Sequence, residues 1–365
     1  MLRSPAGETR ATLHFPFDKQ QLETRLEGLA EGLAVQDFGK ALFDALISGE
    51  ARSLYDVSLA KAAESHKGLR VKLRIASPAL AALPWELLYD ARRGQYVCLS
   101  VNTPLIRYLK LPQPPQPLEV TPPLRILGMI ASPSDLPRLD VDREKTRVEQ
   151  ALAGLMSRGL VDLVWLPGQT RRDLQQAMRR GQWHVFHFVG HGAFDTKADQ
   201  SLVMLADDEG KAQPLRAAEL GRLLADHPDL RLAVLNACEG AKGGGLDIFS
   251  STASILVRQG LPAVLAMQFA VTDQVAVELS RVFYESLADG LPVDAAVTEA
   301  RKAVSLAVSS TLDWATRCST CGHRMASCLT YPASKILRLR PVLPPTRACN
   351  TLTWPMPPTS SAARP

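Results

Sequence analysis

The chain has 365 residues, of which 46% are hydrophobic and 22% charged, the balance of a soluble globular protein with room for one large domain or two. No apolar run approaches the ~18 residues that a membrane helix needs, and Met1 to Glu8 holds no apolar signal core. A cytoplasmic, reducing location is therefore expected, with no need for paired cysteines. The net charge of +5 is unevenly placed. From Trp314 onward there is no acidic residue, while Arg317, Arg324, Lys335, Arg338, Arg340, Arg347 and Arg364 are basic. The body before Trp314 is close to neutral. A basic tail without interleaved aromatics does not argue for nucleic acid, and no nucleic-acid or membrane partner is expected.

Residues 17–65 carry apolar residues at helical spacing: Leu22, Leu26, Leu29 and Leu33, then Phe38, Leu42, Phe43 and Leu46 after an expected break at Gly39. Val71 to Ile75 alternates as a strand. Pro84 to Asp90 reads as a short helix with proline in its first turn. Tyr96 to Val101 and Leu105 to Leu109 read as strands, and Cys98, inside an apolar run, as a buried structural thiol. Residues 1–111 are thus a smaller α+β region. The proline-rich stretch 112–123 is a stiff connector.

From 124 the period becomes regular. Strands are expected at Leu124–Ile130, Leu160–Leu166, Trp183–Val189, Leu232–Ala237 and Pro262–Met267. Helices are expected at Asp142–Ser157, Thr170–Arg180, Arg216–Ala225, Phe249–Gln259, Asp273–Leu287 and Val293–Val308. Thr170 with Asp173 resembles a capping box, and Leu202–Leu205 suggests a hairpin. Alternating strands and helices predict an α/β fold with a mostly parallel sheet covered by helices on both faces.

Two of these strands stop at reactive residues. Trp183-His184-Val185-Phe186-His187-Phe188-Val189 leads to Gly190-His191-Gly192, and Leu232-Ala233-Val234-Leu235-Asn236-Ala237 leads to Cys238. Chemistry in open α/β sheets sits at the carboxyl ends of strands. An imidazole beside a thiol is a base beside a nucleophile. An attack on an acyl carbon creates an oxyanion, for which the backbone amides of Gly192 and Cys238 are candidate donors. Two plainer readings stay open: Cys238 as a core residue and Gly-His-Gly as a turn. A metal pair of His187 and His191 is a weaker alternative. Gly243-Gly244-Gly245 has no following Lys-Ser/Thr and is not a phosphate loop.

The blocks His187–Phe194, Leu202–Asp207, Leu235–Glu239 and Gly260–Gln268, with Leu83-Pro84-Trp85-Glu86-Leu87-Leu88-Tyr89 upstream, resemble the CHAT family. These are caspase-like domains of clan CD cysteine peptidases, related to caspases and separase. The resemblance covers roughly residues 70–316, with the caspase-like core at 124–316. It implies a caspase-haemoglobinase fold and cysteine endopeptidase activity on a protein substrate, through a dyad of His191 and Cys238 and without a cofactor. It also implies regulated proteolysis, as in bacterial defence or cell death, and a sensor or regulatory protein partner. The alternative is an inactive caspase-like scaffold. Specificity does not carry over. Asp195 and Asp273 are candidates to line a pocket for a basic substrate residue, the plainer reading being solvated loop carboxylates.

After Asp313-Trp314-Ala315-Thr316 the family pattern continues with proline and a closing strand. This chain instead runs Arg317-Cys318-Ser319-Thr320-Cys321-Gly322-His323. Cys318, Cys321, His323 and Cys328 are of zinc-ligand type, but their spacing fits no closed pattern. A reading shifted by one base fits better: compatible codons for the tail, with one C added after Thr316, give TPVLYLRAPDGKLFDLP. On that reading residues 317–365 are an aberrant, disordered tail, and the sheet is expected to lack its last strand.

Overall fold

The computed structural model describes residues 2–10, 15–30, 34–75, 77–81, 83–109, 118–195, 200–237, 248–267, 273–307, 313–315, 317–321, 329–330 and 353–355. They divide into two units, one of residues 1–72, 85–105 and 343–365, the other of 73–84 and 106–342. The second unit contains, in chain order, β1 (Leu124–Ile130), α1 (Val141–Ser157), β2 (Val161–Trp165), α2 (Arg171–Arg180), β3 (Val185–Gly190), β4 (Gly192–Asp195), β5 (Gln200–Ala206), β6 (Ala212–Arg216), α3 (Ala217–Ala225), β7 (Leu232–Ala237), α4 (Ile248–Arg258), β8 (Ala263–Met267), α5 (Asp273–Ala288), α6 (Val293–Ala307) and β9 (Arg317–Cys321). The expected elements of this region are all present, with ends displaced by a residue or so.

Five strands pair in parallel in the order β2-β1-β3-β7-β8. Both faces of such a sheet are buried, which is why its strands read as continuous apolar runs. All six residues of β3 are buried. Alternation along the strand then divides the side chains between two layers. Phe186 and Phe188 join Leu127 and Met129 of β1, Ala233 and Leu235 of β7, and Val264 and Ala266 of β8 in one core. Leu174 and Met178 of α2, Leu220 and Leu224 of α3, and Leu256 and Val257 of α4 cover it. Each fully buried Phe, Leu or Met contributes about 1.5–3 kcal/mol. His187 points to the opposite layer, where it meets Tyr284 of α5. The mixed α/β fold with helices on both faces is therefore the one expected.

Local signals account for the helix starts. The Thr170 hydroxyl accepts from the Asp173 amide at 3.1 Å, and the Asp173 carboxylate accepts from the Thr170 amide at 3.0 Å, which completes the capping box of α2. Asp140 caps α1 by accepting from the Arg143 amide at 3.0 Å. The expected hairpin near Leu202 is the middle of a three-stranded antiparallel sheet, β4-β5-β6.

The expectation of a missing last strand is corrected. Arg317–Cys321 forms β9 and pairs antiparallel with β8, Cys318 opposite Ala266 and Cys321 opposite Ala263. Ladder hydrogen bonds come from backbone groups, which any non-proline residue carries. Residues 322–328 and most of the remaining tail lie outside the described residues, as do the side chains of the zinc-type cysteines and His323.

The first unit departs from expectation in three places. Gly39 does not break a helix; it lies inside the helix Val35–Leu46. Its lack of a side chain lets that helix approach the Leu87 carbonyl. Residues 84–90 form a 3₁₀ turn, Trp85–Leu87, and then a two-residue strand, Tyr89–Asp90. The Asp90 carboxylate is held there by both terminal nitrogens of Arg52, at 3.0 and 3.1 Å. Residues 97–99 are likewise 3₁₀ rather than strand. Cys98 is fully buried and its thiol donates to the Glu86 carbonyl, in keeping with a structural role. Of the connector, residues 110–117 lie outside the described residues.

Alanine for glycine in a helix interior ordinarily gains up to about 1 kcal/mol. At Gly39 the added Cβ would stand 2.0 Å from the Leu87 carbonyl oxygen. We therefore expect Gly39→Ala to lose about 1–3 kcal/mol, read as a lower melting temperature. A rise would show that the close approach is not a constraint.

His184, just before β3, ties the start of that strand to β1. Its Nδ1 accepts from the Arg125 amide at 3.0 Å, and its own amide donates to the Arg125 carbonyl at 2.9 Å. Burial holds its pKa below the ordinary 6.5, with Arg125 and Arg231 adding to the effect and Asp229 opposing it. The unfolded chain therefore binds a proton that the folded chain resists, and stability falls as pH drops below about 6.5. His184→Asn, which keeps an acceptor but does not titrate, should show a smaller loss of melting temperature between neutral and mildly acidic pH. An unchanged acid slope would remove His184 as its source.

Candidate active site

His191 directly follows β3, at the carboxyl end of the parallel sheet, and is 4% exposed. Its carbonyl accepts from the Met204 amide of β5 at 3.0 Å, so the backbone is held on one side. Its ring is held on the other: Nε2 lies 2.8 Å from the Pro137 carbonyl oxygen. A carbonyl only accepts, so Nε2 carries the proton and, in the neutral ring, Nδ1 carries the free lone pair. The tautomer is thus set by a backbone group, and the ring is left with one basic nitrogen for chemistry.

The loop that presents the Pro137 carbonyl is itself tied down. The Ser132 amide donates to Gln169 Oε1 at 2.7 Å, and the Ser132 hydroxyl accepts from the Leu139 amide at 3.0 Å. The Ser134 amide donates to the Gly210 carbonyl at 2.8 Å, and Asp135 Oδ1 accepts from the Ala212 amide at 2.7 Å. Gly210, at φ +77°, makes the turn between β5 and β6 that these bonds use. Sequence reasoning found no group to orient His191. A backbone carbonyl has no residue-type signature, so no signal could have named Pro137.

The strands that precede His191 and Cys238 in the chain are neighbours. β3 pairs with β7 in register, with Val189 opposite Asn236 and Gly190 opposite Ala237. Cys238, next in the chain, lies outside the described residues. Gly192 opens β4, half-buried and opposite Val203. His187 is fully buried, with Nε2 on Asn236 Nδ2 at 3.1 Å and Nδ1 on the Tyr284 hydroxyl at 2.9 Å. Both ring nitrogens are therefore engaged within the protein, which argues against a metal pair with His191. Among the described residues no group of three His, Cys, Asp or Glu side chains could hold a metal.

A family model described as the CHAT domain matches residues 36–320. The chain belongs to the CHAT domain family. No curated protein matches this CHAT chain. Among solved structures it is similar to the Arg-specific cysteine proteinase gingipain R, with 14% identity, a TM-score of 0.36, and 56% of this chain and 47% of that chain covered. It is similar to separase in the Saccharomyces cerevisiae separase–securin complex, at 16% identity and a TM-score of 0.39, covering 69% and 15% of the two chains. It is also similar to the Drosophila initiator caspase Dronc, at 12% identity and a TM-score of 0.35, covering 57% and 82%. The CHAT chain thus spans about half of the gingipain chain and a smaller part of the separase chain.

Asp195 closes β4, half-buried and opposite Gln200. Asp273 is the first residue of α5, and its side chain is outside the described set. A cavity of about 520 Å³ lies between α1, α5 and α6, lined among others by Arg143, Arg147, Gln274 and Glu278. Its lining does not include His191, Gly192 or Asp195, so we do not take it as the substrate cleft. Among the described residues no helix is long and apolar enough to cross a membrane.

Proposed function

We propose that this CHAT domain is a cysteine endopeptidase that cleaves a protein substrate with Cys238 as nucleophile and His191 as base. The observation that carries the reading is the fixed tautomer of His191, Nε2–H on the Pro137 carbonyl, at the end of the strand that pairs with β7. The register supports the pairing of the two groups. Gly190 faces Ala237, and the following residues are His191 and Cys238, each about 3.8 Å further along its own backbone.

In this reading the Cys238 thiol gives its proton to His191 Nδ1, and the thiolate attacks the scissile carbonyl carbon. The negative charge that develops on the carbonyl oxygen is met by the backbone N–H groups of Gly192 and Cys238. As the tetrahedral intermediate collapses, the C–N bond breaks and His191 delivers its proton to the leaving amine. The thioester left on Cys238 is hydrolysed by water, from which His191 takes a proton and returns it to the thiolate. No cofactor enters the cycle. Asp195 and Asp273 remain our candidates for pairing with a basic residue on the amino side of the cleaved bond. The substrate's identity and any regulatory protein partner belong to the same proposal, as does a cytoplasmic location.

An electrophilic peptide probe tests the reading. Labelling should be lost in Cys238→Ala and His191→Ala and kept in Cys98→Ala, whose thiol is fully buried. A probe with Arg at its terminal position should label faster than one with Asp, and Asp195→Asn should narrow that difference if Asp195 lines the pocket. A wild-type protein never labelled under any activating condition would leave the inactive scaffold as the better account.

A further inference from the structure

The chemistry proposed above leaves one buried ionisable ring unused. His187 stands on β3 four residues before His191, with no exposed surface. Asn236 Nδ2 donates to its Nε2 at 3.1 Å. The neutral ring then carries its proton on Nδ1, which donates to the Tyr284 hydroxyl oxygen at 2.9 Å. The rings of His187 and Tyr284 also stack, with centroids 6.1 Å apart and planes 26° from parallel. An Asn236 amide turned end for end would reverse the donors and keep the same chain of contacts.

This chain of polar groups joins three elements: α5 through Tyr284, β3 through His187 and β7 through Asn236. Tyr284 is 1% exposed and Asn236 8%. Buried polar side chains need partners, because each one left unpaired bears the full cost of its lost hydration. Apolar residues would fill the same layer without that requirement, so packing alone does not explain the set. Its place in the fold suggests what does. Asn236 is two residues before Cys238 and lies opposite Val189 in the β3–β7 register, so the amide is held in the last stretch of strand before the thiol. The Asn236 Oδ1 atom is buried and makes no hydrogen bond among the described residues, so His187 supplies the described side-chain anchor of this amide.

We propose that His187 and Tyr284 are positioning residues for the nucleophile. They hold the Asn236 amide in one orientation, and through it the end of β7 from which Cys238 emerges. Neither touches substrate. The inference rests on reading Cys238 as the nucleophile, but its test does not depend on peptide turnover. Alkylation of Cys238 by iodoacetamide, followed by peptide mapping, reads thiol reactivity directly. Cys98, fully buried, serves as the internal control.

The full-length wild type is compared with His187→Leu, His187→Gln and Tyr284→Phe. The leucine variant should slow Cys238 alkylation about tenfold or more at unchanged Cys98 labelling. The glutamine variant, whose amide can still meet either neighbour, should restore much of the rate. Tyr284→Phe, which removes only the hydroxyl, should slow it severalfold while staying folded. Where peptide turnover is measurable, kcat should fall in the same order with KM little changed. Wild-type alkylation rates in folded His187→Leu and Tyr284→Phe would overturn the proposal. So would losses that follow the melting temperature in every variant, glutamine included. If no peptide is turned over yet alkylation responds as described, the peptidase reading fails and the positioning role stands. If peptide is cleaved and neither variant alters alkylation or kcat, the reverse holds.

Discussion

The site depends on one constraint, the parallel register of β3 against β7 in which Val189 faces Asn236 and Gly190 faces Ala237. Both strands are buried on both faces, so their side chains are sorted strictly by parity. Phe186 and Phe188 enter the core under α2, α3 and α4, while His187 enters the layer of α5. A slip of one residue would drive the imidazole into the phenylalanine core and turn a phenyl ring toward Tyr284. Two unlike layers, one apolar and one with a polar chain, thus specify the pairing from both sides. With the pairing specified, Gly190 and Ala237, the residues that precede His191 and Cys238 in the chain, face each other across the two strands.

The second constraint acts on the His191 ring and leaves it one defined free nitrogen. The fold supplies it through the backbone. The Pro137 carbonyl accepts the hydrogen bond from Nε2–H, and further hydrogen bonds fasten the loop from 132 to 139 to Gln169, to the β5–β6 turn and to itself. The small antiparallel sheet therefore acts as a brace. Its middle strand holds the His191 carbonyl through Met204, and its turn holds the loop that orients the ring.

What could be read from the sequence follows from where the physical signal lies. Buried parallel strands announce themselves as unbroken apolar runs, and helix starts as side-chain caps, so β1, β3, β7 and α2 were legible from residue types. The Thr170–Asp173 pair was legible for the same reason: both partners are side chains at a fixed spacing. The groups that finish the site were not. Pro137 contributes a carbonyl that every residue has, and Tyr284 reaches His187 across 97 positions of chain. Glycine disfavours helices, so residue type alone points to a break at Gly39, whereas here tertiary approach to Leu87 outweighs that preference. The apolar run around Cys98 points correctly to burial but not to its 3₁₀ conformation, since such a run identifies burial before it identifies conformation.

The last strand makes the same point in reverse. The segment Arg317–Cys321 has none of the apolar character that the family pattern leads one to expect, and composition alone predicts an open sheet edge. Yet what an edge strand must supply is a row of backbone donors and acceptors, and this segment supplies them along β8 from Met267 to Ala263. On its far side Thr320 and Cys321 pair in parallel with Arg107 and Tyr108, so β9 is flanked rather than exposed. β8 is the strand that in turn borders β7. On that side β7 is thus flanked along Leu232–Leu235 by a strand that is itself paired in the polypeptide as written, and side-chain identity in the tail bears on the sheet's packing more than on its continuity.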